Sequence, residues 1–146
     1  VIYVAAFPEK VAELKRSIDS LNTRFEPRTK DLQQLRDQIA GIEAQIQQGT
    51  VPANQASQLS DRYEQLKREY ERKAEDLKGE AQKAYQATTG PIQTKLRTAL
   101  DRYAAEKGVV LVIEIGGALN IGSIFYAAEG TNITDDFIAT YNKANP

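Results

Sequence analysis

From Val11 onward, core-type positions recur at alternating spacings of three and four: Val11, Leu14, Ile18, Leu21, Phe25, Arg28, Leu32, Leu35, Ile39, Ile42 and Ile46. Ten of these eleven positions are apolar across five heptads. A helix buried in a globular domain rarely keeps so strict a seam for so long, so the pattern predicts a coiled coil. It stops at QQGTVPANQAS, where Gly49 and Pro52 mark a turn. A second helix follows on Leu59, Tyr63, Leu66, Tyr70, Ala74, Leu77, Ala81, Ala84 and Thr88, with a mean spacing near the natural helix period. Glu64 with Arg68 and Glu69 with Lys73 are well-oriented i,i+4 pairs on its polar side. The short turn implies antiparallel helices, with Ile46 opposite Leu59, Ile39 opposite Leu66 and Leu35 opposite Tyr70. Lower down, Phe25 faces Ala81 and Leu32 faces Ala74, large against small. At about 1.5 Å per residue the first helix is roughly 60 Å long, which makes an arm.

The two ends of the chain carry a different pattern. VIYVAAF reads as a strand, and Pro8 follows at a first-turn helix position with Glu9 beside it. GlyPro at 90–91 predicts a kink in the return helix, which resumes through Ile92, Leu96, Leu100 and Tyr103 to a left-handed stop at Gly108. VVLVIEI (109–115) and IGSIFYAA are predicted strands around a GGALN loop. A last helix begins with Thr134 as N-cap, Asp135 and Asp136 in the first turn, and Ile133 with Ile138 as a hydrophobic staple.

The expected fold class is therefore α+β: a long antiparallel helical hairpin on a small β body. Residues 1–20 and 91–146 would form the body and the base of the arm, and residues 21–90 the arm itself. Three short strands with apolar residues on both faces are marginal alone. Oligomerisation through Ile2, Val4, Leu111, Ile113, Ile115, Ile124 and Tyr126 is the simplest way to cover them.

RFEPRTKDL (24–32) interrupts the seam with a helix breaker. The antiparallel register sets Pro27 across from residue 78, next to Gly79, so both helices weaken at one height. Arg28, the sole polar seam position, lies there too. Its stem could run past Leu77, or it could mark a wet gap. Pro27, Arg28 and Gly79 are the expected hinge.

Composition narrows the chemistry. The 146 residues contain no Cys and no His, which removes thiol chemistry and imidazole catalysis. With no Met, the sequence is read as lacking its initiator, through either a removed leader or a trimmed start, and a cleaved secretory signal fits. Net charge is −1, with 18 bases against 16 acids in residues 8–107, so no basic field points to nucleic acid. No apolar run has the length of a membrane span.

Each candidate site has a plainer explanation. GGALNIG (116–122) lacks the Gly-Lys-Ser/Thr ending of a phosphate loop and leads into a strand, so a hairpin loop is expected. Asp135 and Asp136 diverge from a helix start and have no evident third ligand. Glu114, inside an apolar strand, suits an exposed edge or a subunit interface better than catalysis. Asn132-Ile133-Thr134 fits a glycosylation sequon, but capping explains the same residues. Tyr63 and Tyr70 fall at seam spacing and belong to the core. No catalytic, cofactor-binding or metal residue is nominated, and the chain is not expected to be an enzyme.

The chain also resembles the Skp (OmpH) family of periplasmic chaperones. The residues that carry the resemblance are VIYVAAF leading into a long charged helix, the Pro91 step, and AEKGVVLVIEI followed by FYAAEGTNITDDFIATYNK. It covers essentially the whole chain. The resemblance implies a jellyfish-shaped homotrimer whose β body trimerises, with three helical arms enclosing unfolded outer-membrane proteins without ATP. It also implies a periplasmic location, no cofactor and no stable membrane insertion. Well-known members are strongly basic, whereas this chain has a pI of about 5.6, so no lipopolysaccharide or membrane-surface site is carried over. The other class considered is a structural adaptor whose coiled coil binds one folded partner.

Overall fold

The computed structural model describes residues 1–49, 51–115, 128 and 130–146. Strand β1 (Ile2–Tyr3) runs into a 3₁₀ turn (Val4–Ala6) and a short helix α1 (Phe7–Lys10). Two long helices follow, α2 (Ala12–Gln47) and α3 (Ala53–Lys107), then strand β2 (Glu114–Ile115) and helix α4 (Thr134–Ala144). The chain divides into two compact units: Leu21–Ala84 is one, and Val1–Ser20 with Tyr85–Pro146 is the other.

Helix ends obey local chemistry. Gly49 (φ 64°) and Gly108 (φ 66°) both take the left-handed conformation that a side chain would resist. At Gly108 the amides of Gly108 and Val109 donate back to the carbonyls of Ala105 and Ala104 at 3.3 and 2.8 Å, closing a Schellman motif. α3 continues unbroken through Gly90 and Pro91, and α2 through Pro27. Around Pro91 the hydroxyls of Thr89 and Thr94 donate to the carbonyls of Tyr85 and Gly90 at 2.9 and 3.2 Å. Neither supplies the bond to the Ala87 carbonyl that Pro91 lacks, and hydroxyl bonds of this kind often accompany bending of a helix.

In the unit Leu21–Ala84 the helices are antiparallel, since the cross-contacts Glu43–Tyr63 and Arg28–Glu80 advance in opposite directions. The core is thin. Only Leu35, Ile42 and Leu66 are buried, with Ile39, Leu59, Tyr63 and Tyr70 packed partly against them. Phe25, Leu32 and Leu77 stay half-buried and Ile46 is 50% exposed. The seam continues, but two helices do not enclose it. The expected pairs Glu64–Arg68 and Glu69–Lys73 are present at 3.9 and 2.8 Å.

The other unit holds the larger core. Val11 and Leu14 from the start of the seam join Ile2, Phe7, Ile92, Leu96, Tyr103, Phe137, Ile138 and Tyr141. Phe137 is its centre, with ring contacts to Tyr103 (edge-on, 5.6 Å), Phe7 (6.0 Å) and Tyr141 (6.3 Å). Among the described residues the β structure is one parallel pair, Ile2 beside Glu114 and Tyr3 beside Ile115. Both expected strands are shorter than their apolar runs. After Tyr3 the chain turns into helical geometry towards Pro8, whose fixed φ favours it. The parallel register pairs β1 with Glu114 and Ile115, and the Ile2 amide donates to the Ile113 carbonyl, so β1 pairs only with the end of the 109–115 run. The predicted strand IGSIFYAA and the GGALN loop lie outside the described residues, apart from Ala128.

Thr134 has a different partner from the one predicted. Its hydroxyl accepts the Tyr3 amide at 2.9 Å, and Asn132 Oδ1 caps the helix by accepting from the Thr134 amide at 3.1 Å. The helix expected to run unbroken from Pro8 is split at Val11, which is extended (ψ 109°) and fully buried. Asn142 spans the split: its amide donates to the Lys10 carbonyl at 2.9 Å and accepts from the Ala12 amide at 3.0 Å. One side chain thus replaces the backbone partners lost at the break. Asn142→Ala is expected to lower unfolding free energy by about 1–2 kcal/mol, read as an earlier urea midpoint with unchanged slope.

Candidate functional site

Two carboxylate clusters hold α4 against the helices of its unit. Glu13 accepts from Lys95 Nζ at 2.6 Å and from the Tyr141 hydroxyl at 3.0 Å. Asp136 accepts from the Tyr103 hydroxyl at 2.6 Å, with Lys107 Nζ at 3.5 Å. Lys95 holds the Glu13 carboxyl below its usual range, aided by Tyr141 and opposed by partial burial. The Tyr103 hydrogen bond and then Lys107 do the same for Asp136. Burial first, and the carboxylate partner second, push Tyr103 and Tyr141 up to about 12. Carboxylates saturated in this way are staples, poorly placed to move a substrate proton. Asp135 pairs with Lys10 at 2.7 Å. Among the described residues no group of three His, Cys, Asp or Glu side chains could hold a metal ion.

The same unit carries an apolar surface. Val110 is 99% exposed and Leu111 73%. They adjoin a groove of about 800 Å³ whose walls include Ile2, Val4, Phe7, Leu96, Leu100 and Val112. Gln93, Arg97, Asp101 and Glu114 line the same groove, so apolar and polar side chains share it.

The residues expected to cover one another between copies are placed unevenly. Ile2 is buried in the chain's own core, and Val4 packs partly against it. Leu111 is on the surface. Ile113 is half-buried and its carbonyl accepts the Ile2 amide at 2.9 Å, while Ile115 is paired with Tyr3. Glu114 is exposed in β2, while Ile124, Tyr126 and the stretch 116–122 lie outside the described residues.

At the expected hinge, Arg28 makes a two-pronged ion pair with Glu80, Nη1 to Oε2 and Nη2 to Oε1, the latter at 3.2 Å. Its guanidinium is anchored on the opposite helix. Pro27 and Gly79 are exposed, and a Cβ built on Gly79 would meet no atom within 4 Å. Sequence reasoning missed Glu80, Glu43 and Asn142. The heptad signal could have pointed to Glu80, which lies one turn beyond Asp76 on the flank facing Arg28; nothing local marks Asn142.

Residues 1–141 match the family described as outer membrane protein (OmpH-like). The chain belongs to that family. No curated protein and no solved structure matches it. OmpH-like membership points to a periplasmic chaperone of outer membrane proteins and away from an enzyme. No helix among the described residues is long and apolar enough to cross a membrane.

The tyrosine shifts make stability depend on alkaline pH. Between the ordinary 10.0 and about 12, the unfolded chain releases phenolic protons that the folded chain keeps, so stability falls across that window. The two lowered carboxyls act oppositely, contributing above the usual carboxylate range and losing that contribution as pH falls through their folded values. Denaturant titrations at stepped alkaline pH are expected to show the decline, with a shallower slope in Tyr103→Phe.

Proposed function

We propose that this chain is an ATP-independent holdase that captures unfolded outer-membrane proteins in the periplasm and works as a homotrimer. The observation that carries the reading is the unfinished seam. In a family of this kind, a 36-residue and a 55-residue helix bury only Leu35, Ile42 and Leu66 in their shared unit. The remaining seam residues stay available as weak apolar contacts along a highly charged surface. Three such surfaces acting together would bind a long unfolded chain tightly, because each contact after the first is effectively intramolecular. Trimerisation has its support in exposed Val110 and Leu111 and the adjoining groove.

A hinge at Pro27 and Gly79 belongs to this reading. Proline removes one helical hydrogen bond and glycine is about 1 kcal/mol worse than alanine in a helix. The Arg28–Glu80 pair fastens the helices to each other at that level, so they would bend together.

A stoichiometric excess is expected to keep a urea-diluted β-barrel protein from scattering light, with a complex that sediments as one client with three copies. Equal aggregation with and without the protein would rule out the holdase reading. Capture of one folded protein with indifference to denatured chains would favour an adaptor. Pro27→Ala with Gly79→Ala, which the open space at Gly79 tolerates, is expected to narrow the interprobe distance distribution across the hinge in spin-label measurements. An unchanged distribution would remove the hinge.

A further inference from the structure

The helix break at Val11 has no cause in its own neighbourhood. Residues 7–15, FPEKVAELK, hold no glycine, and their one proline sits at the helix start. Val11 has no side-chain oxygen to cap α2, and it ends α1 without the left-handed turn found at Gly49 and Gly108. Its φ of −81° is close to helical, and only ψ, at 109°, departs, by about 150°. The Val11 amide still donates to the Phe7 carbonyl and its carbonyl still accepts the Lys15 amide, both at 2.9 Å, as in an unbroken helix. That helix would also join the amides of Ala12, Glu13 and Leu14 to the carbonyls of Pro8, Glu9 and Lys10. Asn142 takes the first of these donors and the last of these acceptors. A side chain inserted into the ladder is a sufficient reason for a break. Glu9 and Lys15, paired at 3.0 Å, are six residues apart, a spacing that a helix does not bring together.

We propose that α4 is the latch of a two-state helix: docked, it holds the chain broken at Val11, and released, it lets residues 7–20 close into one helix. Burial of Phe137, Ile138 and Tyr141 and the ion pair of Asp135 with Lys10 hold the latch in place. Rotation at Val11 swings everything that precedes it. The Ile2 amide would then leave the Ile113 carbonyl, and the Tyr3 amide would leave the Thr134 hydroxyl, so β1 parts from β2. Ile2, Val4 and Phe7 also wall the groove of about 800 Å³, and that wall departs with them. The coupling runs both ways. Whatever seats against Ile2, Val4 and Phe7 tightens α4, and whatever frees α4 dismantles the groove. This holds whatever fills the groove, and so stands apart from the holdase reading.

Carbon chemical shifts of Val11, measured by NMR in the full chain, report its backbone conformation. Phe137→Ala with Asn142→Ala removes the central buried ring of α4 and both amide bonds, and lost exchange protection at Ile138 and Tyr141 verifies release. Val11 is then expected to move from an extended to a helical shift, with protection gone at Ile2 and Tyr3. Thr140→Ala, whose hydroxyl bonds only within α4 at 2.8 Å, is expected to leave Val11 extended. A random-coil or extended shift at Val11 after release overturns the proposal, as does protection at Ile2 and Tyr3 that outlives α4. The unsubstituted chain in stepped urea gives a second measurement, independent of how the variant folds. There the Ala12 amide, taken over by the Pro8 carbonyl, is expected to stay protected after Ile138, Tyr141, Ile2 and Tyr3 have lost protection together. Exposure of Ala12 along with Ile138 would mean that the break is intrinsic and α4 no latch.

Discussion

Two helices lying side by side can shield only a stripe of each from water, and the unit Leu21–Ala84 follows from that limit. A third helix would have enclosed the seam and made an ordinary bundle. Without one, Leu35, Ile42 and Leu66 are the sole fully covered positions, and Phe25, Leu32 and Leu77 are left half in solvent. The pair therefore relies on contacts along its edges. Tyr63 reaches Glu43 and Arg28 reaches Glu80, while i,i+4 pairs such as Glu69–Lys73 support each helix locally. Exposed pairs of this kind contribute little individually, typically under about 1 kcal/mol. Such a unit has stability spread thinly along its length, which suits repeated weak binding better than one rigid pocket.

The other unit solves the opposite problem. Its core gathers the first residues of the chain, the end of α3 and α4 around Phe137, with aromatic rings filling the space that short strands leave. Polar tips of those rings are satisfied at the margin: Tyr103 by Asp136 and Tyr141 by Glu13. The result is dry inside and charged at its rim, with Val110 and Leu111 exposed.

Features set by periodicity were legible in the sequence, and features set by meeting partners were not. Seam spacing located both long helices, their antiparallel order and the cluster of Leu35, Ile39, Leu66 and Tyr70. Glycine at 108 marked the end of α3 because only the left-handed cap makes use of it there. β-branched runs misled, since VIYVAAF and VVLVIEI carry strand propensity over more residues than the parallel register can pair. Thr134 carried a correct cap signal, yet its oxygen accepts from Tyr3, and Asn132 caps instead. Asn142 and Glu80 matter through a residue far away in the chain, which no local pattern records.

The parallel strand pair has a consequence for the order of events as the chain is made. Val1 accepts from the Ile133 amide, Tyr3 from its own amide reaches Thr134, and Ala12 waits for Asn142. None of those partners exists until nearly the whole polypeptide has emerged. The helical pair needs nothing beyond residue 84. Folding that follows emergence would thus finish the helical pair of residues 21–84 first and the unit that holds both chain ends last.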